Sequence, residues 1–228
     1  MVDPYRINSG YEKGISPQPE RAGIPGVCET VGFVAAVGGC GTSTTAKALS
    51  RIYSSLFEYK TLYISLDILA SKAVLPADTI SMRAVMEGRE TVYSLLFENP
   101  SIAGKLIRDS FGVFCFPKDS FRNSLHFLAE EQLHRLIGIL EENFERIVLD
   151  IPVNCALSLY AMDICDTLVV CKGWQEERFE AGNELFNYLK TSRDGVMAFA
   201  ASAGADLDDI YGQFGAEVRG LAETIEGR

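Results

Sequence analysis

The chain has 228 residues, of which 47% are hydrophobic and 23% are charged. This composition is close to the average of globular proteins, which excludes a wholly disordered chain, a collagen and a small disulfide-stapled protein. The 31 acidic residues outnumber the 21 basic ones, and the net charge of −10 argues against diffuse electrostatic binding to nucleic acid or anionic lipid.

The predicted elements begin after a proline- and glycine-rich start. Residues 1–28 lack helical and strand periodicity, so we predict an extended or partly disordered N-terminal arm. Residues 29–228 form a single predicted domain, in which apolar strand-like runs alternate with helix-period segments. This alternation is typical of a three-layer α/β fold, a mostly parallel sheet with helices on both faces. The predicted strands are 31–37, 61–66, 112–116, 146–150, 167–171 and 195–201.

Helical periodicity is clearest in a segment that follows the third predicted strand. Leu133, Leu136 and Leu140 repeat on one face of it, as expected of an amphipathic helix that covers a sheet. The predicted helices are 43–57, 128–142, 176–190 and 205–226, the last broken near Gly212 or Gly215, with two short helices within 79–109.

The sequence has no sign of a membrane or secreted protein. No stretch reaches the roughly 18 consecutive apolar residues of a membrane helix, and the N-terminus contains no apolar signal core. The six cysteines form no CxxC pair and lie mostly in or beside apolar segments, which predicts reduced core cysteines and argues against a zinc site. We therefore expect a cytoplasmic protein.

A glycine-rich loop, GGCGTSTT, links the first predicted strand to the first predicted helix. This order is that of a phosphate-binding loop, in which glycines bring backbone N–H groups close to an anion and the helix N-terminus adds partial positive charge. A tight strand-to-helix turn that binds nothing is the open alternative. The predicted nucleotide-binding residues are Gly38, Gly39, Cys40, Gly41, Thr42, Ser43 and Thr44.

The loop lacks the lysine that follows the last glycine in the usual pattern, since that position is Thr42. Lys47 lies about one turn further along the predicted helix. From its position we expect its side chain to project from another part of the surface. Cys40 is expected to be a small filler rather than a redox group.

The loop resembles that of the MinD/ParA-type (SIMIBI) P-loop ATPases, which reads KGGxGK followed by two Ser/Thr residues. Val37 and Thr42 stand where that loop has its two lysines. The string GGCGTST is similar to the degenerate loop of the TadZ/CpaE branch, which serves assembly of the Tad (Flp) pilus. The resemblance covers roughly residues 29–171 and implies the P-loop NTPase fold.

Two further segments resemble motifs of the same family. TLYISLD at 61–67 is similar to the second-strand motif and implies that Asp67 is a catalytic residue. NFERIVLDIP at 143–152 is similar to the Walker B segment, which implies that Asp150 and Ser43 hold Mg²⁺. Taken by itself, each aspartate is also a common turn former or cap at the end of a strand.

The resemblance implies ATP and Mg²⁺ as cofactors, a homodimer, and a localisation or scaffold role with protein partners of a pilus or secretion assembly. Losing one preorganised charge typically costs about 10²–10³ in rate, so we expect weak ATP binding and very slow or absent hydrolysis. The acidic C-terminal segment leads us to expect neither nucleic-acid binding nor direct membrane insertion, and recruitment to the inner membrane face or a cell pole would go through partners.

Two alternatives remain open. One is an active ATPase that regulates partition or polysaccharide export, with its lysine supplied by Lys47 or a partner chain. The other is an interaction domain that works without nucleotide.

Overall fold

The computed structural model describes residues 28–67, 107–115, 129–153, 157–200 and 210–228. Apart from Cys28, the predicted N-terminal arm lies outside them, as do the short helices predicted within 79–109 apart from 107–109. The strands are β1 (Glu29–Val34), β2 (Thr61–Ser65), β3 (Ile107–Arg108), β4 (Phe114–Cys115), β5 (Arg146–Asp150), β6 (Thr167–Lys172) and β7 (Val196–Ala200). The helices are α1 (Thr42–Ser55), α2 (Glu130–Glu141), α3 (Ser158–Asp163), α4 (Glu176–Ser192) and α5 (Gln213–Glu226).

The strands form one sheet in the order β3-β4-β2-β5-β1-β6-β7. All neighbouring pairs are parallel except β3 and β4, so the predicted mostly parallel α/β sheet is confirmed. The chain leaves β1 toward β2 on one side and later returns to β6 on the other. The loop after β1 therefore lies where the strand order reverses, the place where open α/β sheets bind ligands.

Helices cover both faces of the sheet, and each face has its own apolar core. In β5, Ile147 and Leu149 pack with the core under α2, α3 and α4, while Val148 packs with the core under α1 and α5. This alternation follows from the pleat of a strand, which sends successive side chains to opposite faces. The predicted three-layer arrangement is confirmed.

The structure corrects three predictions about the first half of the chain. β1 ends at Val34 rather than at residue 37, because the chain turns into the glycine loop early.

Residues 107–108, predicted to end a helix, form the edge strand β3. The Asp109 carboxylate accepts the N–H groups of Phe111 and Val113, both at 2.9 Å, and this turn folds β3 back onto β4. Of the segment 112–116, predicted to be a strand, only residues 114–115 form one. Residue 116 lies outside the described ranges.

The C-terminal helix also differs from its prediction. α5 begins at Gln213, with Gly212 as the residue before it, and runs to Glu226 without a break. Residues 205–209 lie outside the described ranges. Gly215 lies inside α5, where a Cβ would come within 2.0 Å of the Ile210 carbonyl oxygen. The glycine is therefore needed for close packing and does not interrupt the helix.

Helix α3 is absent from the predictions, since six residues are too few to produce a clear helical period. Within the five described ranges, none of the helices has the length and apolar content that a bilayer crossing requires.

Candidate functional site

The glycine loop has a backbone that requires its glycines. Gly39 and Gly41 have φ angles of 78° and 79°, in the left-handed region that disfavours side chains. The Gly41 carbonyl oxygen accepts two hydrogen bonds from Thr45, one from its backbone N–H at 2.8 Å and one from its hydroxyl at 2.9 Å. These bonds start α1. Gly41 offers no side-chain oxygen to the first-turn N–H groups, and the first turn holds no acidic residue. This helix N-terminus is suited to an anion.

The two positions that lack lysine differ in their surroundings. Val37 is 39% exposed at the edge of the loop. Thr42 is the first residue of α1 and is half-buried. Cys40 is buried in the core under α1 and α5, in line with its expected role as a filler.

Asp150 lies at the carboxyl end of β5, directly beside β1, and only 4% of it is exposed. Its Oδ2 accepts hydrogen bonds from the hydroxyls of Tyr63 at 2.9 Å and Ser65 at 3.3 Å. Ser43, in the first turn of α1, is near enough to this carboxylate to act on it through its side chain. Burial raises the pKa of Asp150, and the hydrogen bonds and the nearby charge of Lys47 oppose this rise. The structure thus brings together the two residues predicted to hold Mg²⁺.

Tyr63 is a residue of the site that sequence analysis missed. Alternation along β2 places it between the buried Leu62 and Ile64, on the side of the sheet covered by α1. Burial and the neighbouring Asp150 raise the pKa of the phenol well above its ordinary value, so the hydroxyl stays protonated and donates to the carboxylate. Its signal in the sequence was a polar-tipped aromatic side chain in a buried strand, which usually finds a hydrogen-bond partner.

Lys47 is placed differently from its prediction. Its Nζ lies 5.8 Å from the centre of the Tyr63 ring, and its charge acts on Asp150. Residues four apart on a helix share a face, so Lys47 follows Ser43 toward β2 and β5. The expectation that it projects from another part of the surface was wrong.

Asp67 lies just beyond β2, at the same edge of the sheet. Its backbone N–H donates to the Ser65 hydroxyl at 3.3 Å, which ties the turn after β2 to a residue that also bonds Asp150. The Leu66 N–H donates to the Asp150 carbonyl oxygen at 3.0 Å and extends the pairing of the two strands. Asp67 is thus one strand removed from the glycine loop, and its catalytic role stays a prediction.

Arg178 is a second residue that sequence analysis missed. It lies in the first turn of α4, which follows β6, the strand next to β1. Its Nη1 donates to the Gly39 carbonyl oxygen at 3.2 Å. No local sequence pattern marks this residue, because its approach to the loop depends on the pairing of β6 with β1.

The residues present fit Mg²⁺ that arrives with a phosphate ligand. The Asp150 carboxylate and the Ser43 hydroxyl are hard oxygen donors, which Mg²⁺ prefers. Across the part of the chain that the structure describes, no group of three or more His, Cys, Asp or Glu could hold a metal ion alone. A carboxylate and a hydroxyl completed by phosphate and water is a common arrangement for nucleotide-bound Mg²⁺.

Asp150→Asn is expected to raise the stability of the nucleotide-free protein, because the buried carboxylate is costlier to desolvate than an amide. We expect a rise in Tm of about 2–4 °C, the shift that about 1 kcal/mol produces in a domain of this size. The same variant should lose Mg²⁺-dependent nucleotide binding. Thermal unfolding at neutral pH measures the first effect, and the exposed Asp194→Asn is the control. A lower Tm in the Asp150 variant would contradict it.

No family model matches the sequence, and no curated protein matches it. Solved structures match its fold. A ParA family ATPase from Chlorobium tepidum superposes with a TM-score of 0.61 at 16% identity, covering 89% of this chain and 81% of that chain. A plasmid partition protein from Borrelia burgdorferi bound to AMPPNP gives 0.55 at 18%, covering 86% and 97%. The septum site-determining protein MinD from Pyrococcus horikoshii with Mg-ADP gives 0.54 at 14%, covering 79% and 73%. The chain therefore has the α/β fold of the ParA/MinD P-loop ATPases.

Proposed function

We propose that this protein is a ParA/MinD-like localisation or scaffold protein that binds ATP weakly and hydrolyses it very slowly or not at all. The observation that carries the proposal is the proximity of Ser43 to the buried Asp150, next to a glycine loop without either lysine. This pair and the loop backbone support binding. The missing lysines argue against turnover.

Binding would use groups that need no lysine. The backbone N–H groups of the loop and of the first turn of α1 would surround the phosphates, and the helix dipole adds partial positive charge. Ser43 and Asp150 would hold Mg²⁺, which supplies positive charge to the phosphates when bound. The known structures with this fold that contain AMPPNP or Mg-ADP support the assignment of the ligand.

Hydrolysis needs more charge than this loop supplies. Phosphoryl transfer depends on positioned positive charge near the phosphate oxygens and on a positioned water. With Val37 and Thr42 in the lysine positions, two such contacts are missing, each worth about 10²–10³ in rate. Asp67 is the proposed residue that orients the water, and what turnover remains would depend on it.

The proposed partners are a second copy of the chain and proteins of a pilus or secretion assembly. The similarity of GGCGTST to the TadZ/CpaE loop supports a role in Tad pilus assembly. The net charge of −10 favours protein partners over nucleic acid. Helix α5 has one arginine, Arg219, against three glutamates, which is unlike a basic amphipathic helix that binds membranes. Any recruitment to a membrane would then go through partners.

Titration with Mg-ATP tests the proposal. We expect a measurable heat of binding and a Tm that rises with nucleotide concentration, since a ligand that binds only the folded state stabilises it. Phosphate release should stay close to the rate without protein. The absence of both heat and thermal shift at millimolar Mg-ATP would contradict the proposal and leave the interaction domain that works without nucleotide.

An active ATPase is a second candidate, and the position of Lys47 favours it. This lysine shares a helix face with Ser43 and acts on Asp150. Steady turnover that disappears in Lys47→Met would support it over the scaffold role.

A further inference from the structure

We propose that Arg178 supplies the positive charge that the lysine-free loop lacks, by contacting the phosphate groups of a bound nucleotide. The inference rests on the proposed nucleotide binding and names a residue that neither the loop motif nor the resemblance indicates.

The guanidinium of Arg178 lies against Gly39 of the loop. A Cβ built on Gly39 would be 2.9 Å from Nη1, 3.2 Å from Cζ and 3.4 Å from Nη2. Three atoms of the guanidinium therefore lie close to the position that a side chain at residue 39 would take. Residue 39 is a glycine with a φ of 78°. The charge of Arg178 is thus placed on the loop itself.

The path of the side chain is set by a second glycine. A Cβ on Gly173 would be 2.6 Å from the Cβ of Arg178 and 3.0 Å from its Cδ, so the stem of Arg178 occupies the space that a side chain at 173 would need. Gly173 directly follows β6, and β6 pairs with β1. Glycines at 39 and 173 together make room for the arginine to run from α4 to the loop.

The guanidinium retains hydrogen-bonding capacity in this position. Arginine has five N–H donors, and the Gly39 carbonyl uses one of them. In the described part of the chain, no ion pair includes Arg178. The two acidic residues that precede Arg178 in the first turn of α4, Glu176 and Glu177, are exposed to solvent. A planar guanidinium with free donors is suited to phosphate oxygens, which it binds in a bidentate manner.

Lys47 is another cation near the site, but it lies close to a different part of it. Its Nζ lies over the Tyr63 ring and its charge acts on Asp150, on the β2 side of β1. Arg178 approaches from the β6 side and contacts the loop backbone. The arginine is therefore the better placed of the two to replace a loop lysine.

The test is the affinity for Mg-ATP, measured by calorimetry, of the full chain and of three variants. Arg178→Met keeps the aliphatic stem of the side chain and removes its charge. We expect it to weaken Mg-ATP binding at least about tenfold, because a charge-assisted contact with the phosphates is lost. Arg178→Lys keeps the charge and should recover part of the affinity. Lys190→Met removes the same charge from an exposed position on the same helix and should bind like the wild type.

The outcomes separate the inference from the proposed function. If Arg178→Met binds Mg-ATP as well as or better than the wild type, the inference is overturned and the proposed function stands. Equal losses in the Met and Lys variants would indicate a packing role and would also overturn it. If the wild type does not bind Mg-ATP, both fail. Thermal unfolding of each variant without nucleotide checks that the fold is retained.

Discussion

Replacing Gly215 with alanine is expected to destabilise the protein by about 3 kcal/mol, the upper range for overpacking. A Cβ at this position would lie 2.0 Å from the Ile210 carbonyl oxygen and 2.2 Å from its carbon, and both are backbone atoms. To make room, the turn before α5 would have to move, and with it Ile210 and Phe214, which are buried in the core under α1 and α5. Helix propensity alone predicts the opposite effect on stability, because alanine is a better helix former than glycine.

Gly220→Ala is the matched control for this prediction. Gly220 lies on the same helix, and a Cβ there would meet nothing within 4 Å. Alanine should therefore stabilise the protein by roughly 0.5–1 kcal/mol through its better helix propensity. Denaturant unfolding of both variants measures the two effects. If both variants shifted stability in the same direction, the close contact at Gly215 would not be the deciding factor.

Installing lysine at positions 37 and 42 is expected to turn the protein into a better nucleotide binder and a measurable ATPase. Val37 is 39% exposed, so a lysine is accommodated there without burying its charge. Thr42 is half-buried in the first turn of α1, so a lysine there can extend its amine out of the core. We expect Thr42→Lys to raise the rate of phosphate release by about 10²–10³, the value of one preorganised charge. The double variant should also bind Mg-ATP more tightly.

The control for this gain is Thr224→Lys, which adds the same charge at an exposed position on α5. It should leave nucleotide affinity and phosphate release unchanged. Steady-state phosphate release and calorimetry are the measurements. If the double variant binds Mg-ATP no better than the wild type, the loop does not hold phosphate in the proposed way.

The central strands could be predicted from sequence because their signal is local. β5 is observed with the predicted bounds, since its apolar run is buried on both faces and is bounded by the charged Arg146 and Asp150. β3 and α3 could not be predicted in this way. A strand of two residues depends on the Asp109 turn and on a partner strand, and a helix of six residues is shorter than two turns.

The same distinction applies to the site. The glycine loop is a local motif and was visible in the sequence, and the resemblance linked Ser43 to Asp150. Tyr63, Lys47 and Arg178 reach the site through strand order and helix packing, which the sequence pattern does not specify. The position of Lys47 was predicted wrongly because the direction of a helical side chain depends on which face of α1 covers the sheet.

The Arg178 contact with Gly39 joins residues that are 139 positions apart in the chain. Contacts of such long range are slow to form, because the entropy of closing the intervening chain must be overcome first. The glycine loop is local in sequence, whereas Arg178 reaches it only when β6 and α4 are docked on β1. If nucleotide binds as proposed, its affinity would be highest once the arginine is in place, so it would stabilise the protein mainly by slowing unfolding.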